Sequence, residues 1–183
     1  FAFQEIASNF VSGFLIAIRQ PYKIGDIVKT ADNYFGEVVD INLRITKIKT
    51  FDGLEVLIPN KDMFTKALIN FTKTPGRRLE INVGVAYSDD LELAEKVLYD
   101  IFESEEDRMK DKEVNIFYDE FGSSSINLRC FIWVLYPNNK AFLKLKHKLI
   151  KKIKKGFDEN GITIPFPIRT LDIDKKLISG IKK

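Results

Sequence analysis

Residues 45–60 read ITKIKTFDGLEVLIPN, and the reading of this stretch decides the fold class. Ile45 to Thr50 and Leu54 to Ile58 have strand character, and between them Asp52-Gly53 supplies the positive backbone φ that a tight hairpin needs. A helix-period pattern is absent. Pro59-Asn60 then stops the second strand, and Lys61 to Lys66 is long enough for one helical turn.

Outward from this hairpin, the same short strands recur. Ile27-Val28 and Glu37 to Leu43 precede it, Ala67 to Thr72 follows it, and Gly25-Asp26, Asp32-Asn33 and Gly36 mark the turns. The spacing predicts a small, strongly bent, barrel-like sheet over residues 21–72.

Upstream, QEIASNFVSGFLIAIRQPYKIGD (4–26) predicts a helix that Pro21 ends. Its apolar centre, Gly13 to Ile18, is six residues long, whereas a spanning helix needs roughly 20. At 100° per residue Phe3, Phe10, Phe14 and Ile18 share one side, and Gln4, Glu5, Ser8, Ser12 and Arg19 the other. Leu15 and Ile16 stray toward the polar side. The small residues Ala7, Ser8, Ser12, Gly13 and Ala17 let neighbouring backbones come close. Taken alone, the stretch also suits the first helix of a soluble domain.

Downstream, Thr74-Pro75-Gly76 separates two patterned regions and marks a domain boundary. A strand over Arg78 to Val85 is followed by Ser88-Asp89-Asp90, an acidic helix start, and by helical spacing at Leu91, Ala94, Val97, Leu98, Ile101 and Phe102. Strands over 114–121 and 125–135 come next, then a helix capped by Asn138 and closed by Gly161, then a last strand from Ile162 to Pro165. The order β-α-β-β-α-β is that of a split βαβ (ferredoxin-like) sandwich. The fold class is therefore α+β, with an amphipathic helix, a barrel-like domain and an α/β sandwich.

Composition narrows the chemistry. Over 183 residues, 45% apolar and 30% charged side chains exclude a disordered chain, and a net charge of +3 gives no strong electrostatic preference. The single cysteine, Cys130, rules out a disulfide framework within the chain and reads as a small buried hydrophobe. The single histidine, His147, stands among lysines, so neither a histidine metal site nor a Ser/His pair can be built. Gly122-Ser123-Ser124-Ser125 reads as a turn, and Asp89-Asp90 and Glu105-Glu106-Asp107 as acids at helix ends. The lysines of 144–155 fill the faces that the apolar stripe leaves to solvent. No catalytic residue, metal site or cofactor is expected. A soluble RNA-binding module stays open as a rival, with Phe117 and Phe131 as candidate stacking rings.

Several separated motifs together resemble the small-conductance mechanosensitive channels of bacteria, the MscS-like family. They are Gln4 to Gly13 with Ser8-Asn9, Arg19-Gln20-Pro21-Tyr22 with Gly25-Asp26, Gly36-Glu37-Val38, Thr50-Phe51-Asp52-Gly53 through Ile58-Pro59-Asn60, Ile69-Asn70-Phe71-Thr72, and Pro165-Phe166-Pro167. The resemblance implies that residues 1–20 are the cytoplasmic half of the pore-lining helix, 21–74 the middle β-domain, 75–166 the α/β domain and 167–183 a C-terminal strand or tail. It also implies a homoheptamer in a bacterial inner membrane, multi-pass in its full length with residues 21–183 cytoplasmic. Membrane tension would open it to release ions and small solutes on hypo-osmotic shock. Its partners would be other copies, membrane lipid and permeating ions, with no nucleic acid. In the family the short helix lies near the membrane surface, which its two faces suit. Glu5 stands where well-known members carry a hinge glycine, so a bend is expected near Gly13 instead. Ser8, Asn9 and Ser12 are expected to pack against the β-domain or neighbouring subunits, and Arg19, Pro21, Gly25 and Asp26 to form the junction into the β-domain.

Overall fold

The computed structural model describes residues 2–136 and 138–169. They group into two compact units, one from the described residues of Phe1–Arg77 and Val134–Leu145, the other from those of Arg78–Trp133 and Lys146–Lys183. The sequence division puts 134–145 in the second domain, whereas here they join the first unit. There the Arg77 guanidinium lies 4.7, 4.9 and 4.2 Å from the ring centres of Phe71, Tyr136 and Phe142, close enough for cation–π attraction to each.

The first unit opens with α1 (Ala2–Arg19), one continuous helix. Five strands follow: β1 (Ile27–Thr30), β2 (Phe35–Ile41), β3 (Ile45–Thr50), β4 (Glu55–Pro59) and β5 (Leu68–Asn70), with the short α2 (Asn60–Thr65) between the last two. They form an antiparallel sheet in the order β4-β3-β2-β1-β5. The register of β2 on β3 slips between Val38 and Asp40, a bulge that increases the twist of a short sheet. The expected hairpin is present: Gly53 has φ of 93°, and Lys49 pairs with Glu55 across the turn. Ile16, Tyr22, Val28, Val38, Ile48, Ile58 and Met63 make the core. One core residue therefore comes from α1 and one from its exit turn.

The second unit holds most of β6 (Gly76–Val85), then α3 (Leu91–Glu103), β7 (Asn115–Phe121), most of β8 (Ile126–Leu135) and most of α4 (Asn139–Glu159). The sheet order is β6-β8-β7, as the split βαβ pattern requires of its first three strands. Strict alternation of burial along β8 puts Leu128, Cys130 and Ile132 in the interior; burial pushes the Cys130 thiol up to about 12. Asp90 caps α3 by accepting from the amides of Glu92 and Leu93, and Asn138 accepts from Ala141 N at the start of α4.

Two expectations need correction here. Residues 162–165 do not form a strand. They run beside the end of β6, where Ala86 N donates to Thr163 O at 3.1 Å, but Pro165 and Pro167 remove the donors that a ladder would need. Glu105 does not cap a helix. Its side chain is fully buried, and Lys148 and Lys152 donate to its two oxygens at 2.5 and 3.0 Å. The lysines of α4 are thus not all a solvated face. Burial alone would raise the Glu105 carboxyl, but the hydrogen bonds and charges of the two lysines outweigh it and hold the group below the usual carboxylate range. The expected C-terminal segment 167–183 falls mostly outside the described residues.

Candidate functional site

The side of α1 that enters the protein is the small, polar one. Ser12, Gly13 and Ile16 are buried, while Phe3, Phe10, Phe14 and Ile18 are all more than half exposed. Ile16, which strays toward the polar side in the helical projection, is the anchor in the core. The reason lies in what α1 meets: the backbone carbonyl of Leu43 and the side-chain amide of Asn60, polar groups approached so closely that a phenyl ring could not be admitted.

Gly13 is the point of closest approach. A Cβ built there would lie 2.6 Å from Asn60 Nδ2 and closer still to Leu43 O. One turn earlier, Asn9 Oδ1 accepts from Lys61 N at 3.0 Å, and Asn9 Nδ2 donates to Glu5 O at 3.0 Å. The N-cap residue of α2 is Pro59, which makes no side-chain cap hydrogen bond. Asn9 therefore satisfies from another helix an amide that the local sequence leaves open. Ser8 is half-buried beside it, and Glu5 is exposed.

Behind this contact runs a buried chain of side-chain hydrogen bonds. Tyr22 OH lies 2.9 Å from Thr46 Oγ1, Thr46 Oγ1 donates to Asn60 Oδ1 at 2.9 Å, and Asn60 Nδ2 donates to Asn42 O at 2.8 Å. Thr46 and Asn60 are fully buried and Tyr22 nearly so. Burial pushes the Tyr22 phenol up to about 12, against the opposing effect of its bond to Thr46.

The junction from helix to sheet is a second knot. Gln20 ends α1 with φ of 43° and its amide on Ile16 O, a left-handed terminus, after which Pro21 cannot continue the helix. Gly25, at φ of 92°, donates to Val38 O. Asp26 is buried and accepts from Lys23 N at 3.0 Å, Asn70 Nδ2 at 2.8 Å and Thr72 Oγ1 at 3.0 Å. Lys73 Nζ reaches Gln20 O at 3.2 Å. The end of β5 thereby grips the exit of α1. Arg19 is exposed in the last turn, where a positive charge suits the helix dipole.

The structure thus gathers Asn9, Ser12 and Gly13 at one contact and Pro21, Gly25 and Asp26 at another, and leaves Glu5 and Arg19 outside both. Thr46 and Lys61 were not singled out from sequence, and Tyr22 and Asn60, though both stand in the family motifs, were assigned no role there. Phe117 and Phe131, the candidate stacking rings, lie 6.2 Å apart, with Arg78 and Arg129 over Phe131 at 4.4 and 5.2 Å. Among the described residues, no group of side chains could hold a metal and no helix is long and apolar enough to cross a membrane.

The family model described as "Mechanosensitive ion channel, beta-domain" matches residues 5–73, and that described as "Mechanosensitive ion channel MscS, C-terminal" matches residues 79–164. An "Uncharacterized MscS family protein" of Archaeoglobus fulgidus is 38% identical over 182 residues, covering 100% of this chain and 63% of the relative. The "Small-conductance mechanosensitive channel" of Edwardsiella ictaluri is 31% identical, covering 99% of this chain and 60% of the relative. The chain thus spans less than two thirds of the length of these relatives. The closed-state crystal structure of Helicobacter pylori MscS is 30% identical, with a TM-score of 0.87, covering 95% of this chain and 68% of that one. Arabidopsis thaliana MSL1 shares the fold, with a TM-score of 0.77 at 16% identity. The RNA-binding alternative gains nothing from these matches.

Proposed function

This chain belongs to the MscS family of mechanosensitive ion channels, and from that premise we propose that it is the cytoplasmic part of a subunit opened by membrane tension, releasing ions and small solutes on hypo-osmotic shock. The observation that carries the reading is the divided use of α1. One face is fixed to the β-domain by Asn9, Gly13 and Ile16, while Phe3, Phe10, Phe14 and Ile18 stay exposed. A helix so built couples a soluble domain to an apolar environment, as an interfacial or pore-lining element must. In this reading residues 1–20 end the pore-lining helix, 21–74 and 75–166 are the two cytoplasmic domains, and the membrane spans belong to the full-length subunit in a bacterial inner membrane.

Seven copies form the channel, by the family resemblance. Among the described residues the sheet has two edges, β4 and β5, with no strand paired beyond them, and a closed ring of copies would cover them. Tension shifts the population between states that differ in membrane area. The docked seat of α1 is taken as that of the closed channel, in keeping with the likeness to the closed Helicobacter structure. The subunit has no catalytic chemistry and needs no cofactor.

The test is patch-clamp recording of the full-length protein in liposomes, with survival of osmotic downshock in cells lacking their own tension-gated channels. Tension-activated currents and rescue are expected. A protein that inserts and assembles but passes no current up to the rupture tension would overturn the reading.

A further inference from the structure

The buried chain from Tyr22 to Asn42 has only one possible direction. Asn42 presents a carbonyl, so the Asn60 side chain must turn its NH2 toward it, and does so at 2.8 Å. That leaves Asn60 Oδ1, an acceptor only, facing Thr46 at 2.9 Å. The single proton of the Thr46 hydroxyl is therefore committed to Asn60, and the 2.9 Å bond between Tyr22 and Thr46 can form only with the phenol as donor. Both hydroxyls stand in the interior, where water cannot replace a missing partner.

Asn60 is also the group over which Gly13 sits, and the next residue, Lys61, gives its amide to Asn9. We propose that Tyr22 and Thr46 are positioning residues for α1: the Asn42 carbonyl decides which way the Asn60 amide turns, and the relay gives Oδ1 the partner that keeps this side chain in place as the seat on which Gly13 docks, next to the Lys61 amide that Asn9 caps. Neither hydroxyl bonds to α1 itself; both act through Asn60. Tyr22 itself stands just past the end of α1, so the relay links the exit of the helix to its middle through the body of the β-domain. Without the Thr46 hydroxyl, Asn60 Oδ1 would be left in the interior without that partner, and the side chain would leave its position to find one, disturbing the surface that Gly13 approaches. The consequence for gating rests on the channel reading, whereas the consequence for the seat does not.

Hydrogen exchange on the full-length protein in detergent tests the seat directly, because the Lys61 amide is bonded only while α1 is docked. In Thr46→Val and Tyr22→Phe, protection of the peptide over 60–65 should fall about tenfold while that of β2 and β3 stays unchanged. Thr46→Ser, which keeps the hydroxyl, should retain parent protection. In patches, Thr46→Val and Asn9→Ala should each alter the decay of current under held tension, and the double variant should decay no differently from the stronger single one, since both act on one contact. Parent-like exchange at 60–65 in both relay variants would overturn the proposal, as would a loss of protection shared equally by every strand, which is ordinary core damage. Where Thr46→Val does not assemble, Tyr22→Phe, which deletes a single oxygen, decides. A parent protein without tension-activated current would refute the channel reading and leave the exchange result to judge the relay.

Discussion

Gly13 and Asn60 touch so closely that the site has no room for a methyl group: a Cβ on Gly13 would lie 2.6 Å from Asn60 Nδ2. A hinge role and a contact role for this glycine give opposite signs. As a flexible point in a helix, Gly13→Ala would stabilise by about 1 kcal/mol. As a close contact against a carbonyl that β-domain packing holds in place, it costs about 1–3 kcal/mol through overpacking. We expect the second to win, with a net loss in denaturant unfolding and a larger loss for Gly13→Ser. A stabilised Gly13→Ala would return the residue to the hinge role.

Asn9→Ala removes the acceptor that caps Lys61 N and should cost about 1 kcal/mol, the usual value of an N-cap. Asn9→Asp keeps an acceptor and adds a negative charge at a helix N-terminus, so it should melt at or above the parent temperature. Circular dichroism melts of the three proteins check the order.

Asp26→Ala leaves Lys23 N, Asn70 Nδ2 and Thr72 Oγ1 without their common acceptor. A loss of about 1–3 kcal/mol is expected, since the donors are only partly buried and Asn70 Nδ2 and Thr72 Oγ1 keep second acceptors in Pro21 O and Asn70 Oδ1. Asp26→Asn retains one acceptor oxygen and should lie between the two. Denaturant titration monitored on the β-domain, where unfolding of Asp26→Ala should begin first, measures this.

Glu105 gives the chain a pH dependence of defined sign. Its carboxyl titrates lower in the folded protein than the usual value of about 4.3 in an unfolded chain. The unfolded state therefore binds the proton first on acidification. The stability from the Lys148 and Lys152 bonds is complete above the unfolded value and is lost as pH falls through the folded one. Glu105→Gln should lower the melting temperature at pH 7 by several degrees and flatten its dependence below about pH 4.5. A variant whose acid limb matches the parent's would assign that limb to other carboxylates.

Much of the architecture was decided locally and could be read from the sequence. The Asp52-Gly53 turn, the alternation along β8, the acidic cap at Asp90 and the proline after α1 each depend on backbone preferences within a few residues. Periodicity also gave α1 two faces. It could not say which face goes inward; the family resemblance pointed to Ser8, Asn9 and Ser12. Ser12 and Gly13 are the buried ones because the receiving surface is a carbonyl and an amide at close range, which only short side chains can approach.

Partners far apart in sequence lay equally beyond a local reading. Glu105 finds lysines 43 and 47 positions away, and Asn9 caps an amide 52 positions away; only the folded packing brings such groups within reach. The Asn60 relay adds a further constraint, since the direction of its hydrogen bonds follows from the Asn42 carbonyl, whose position the completed sheet alone determines. Sequence supplied the elements and the family pattern. The seat of α1 was fixed by which polar groups the packed β-domain leaves facing it.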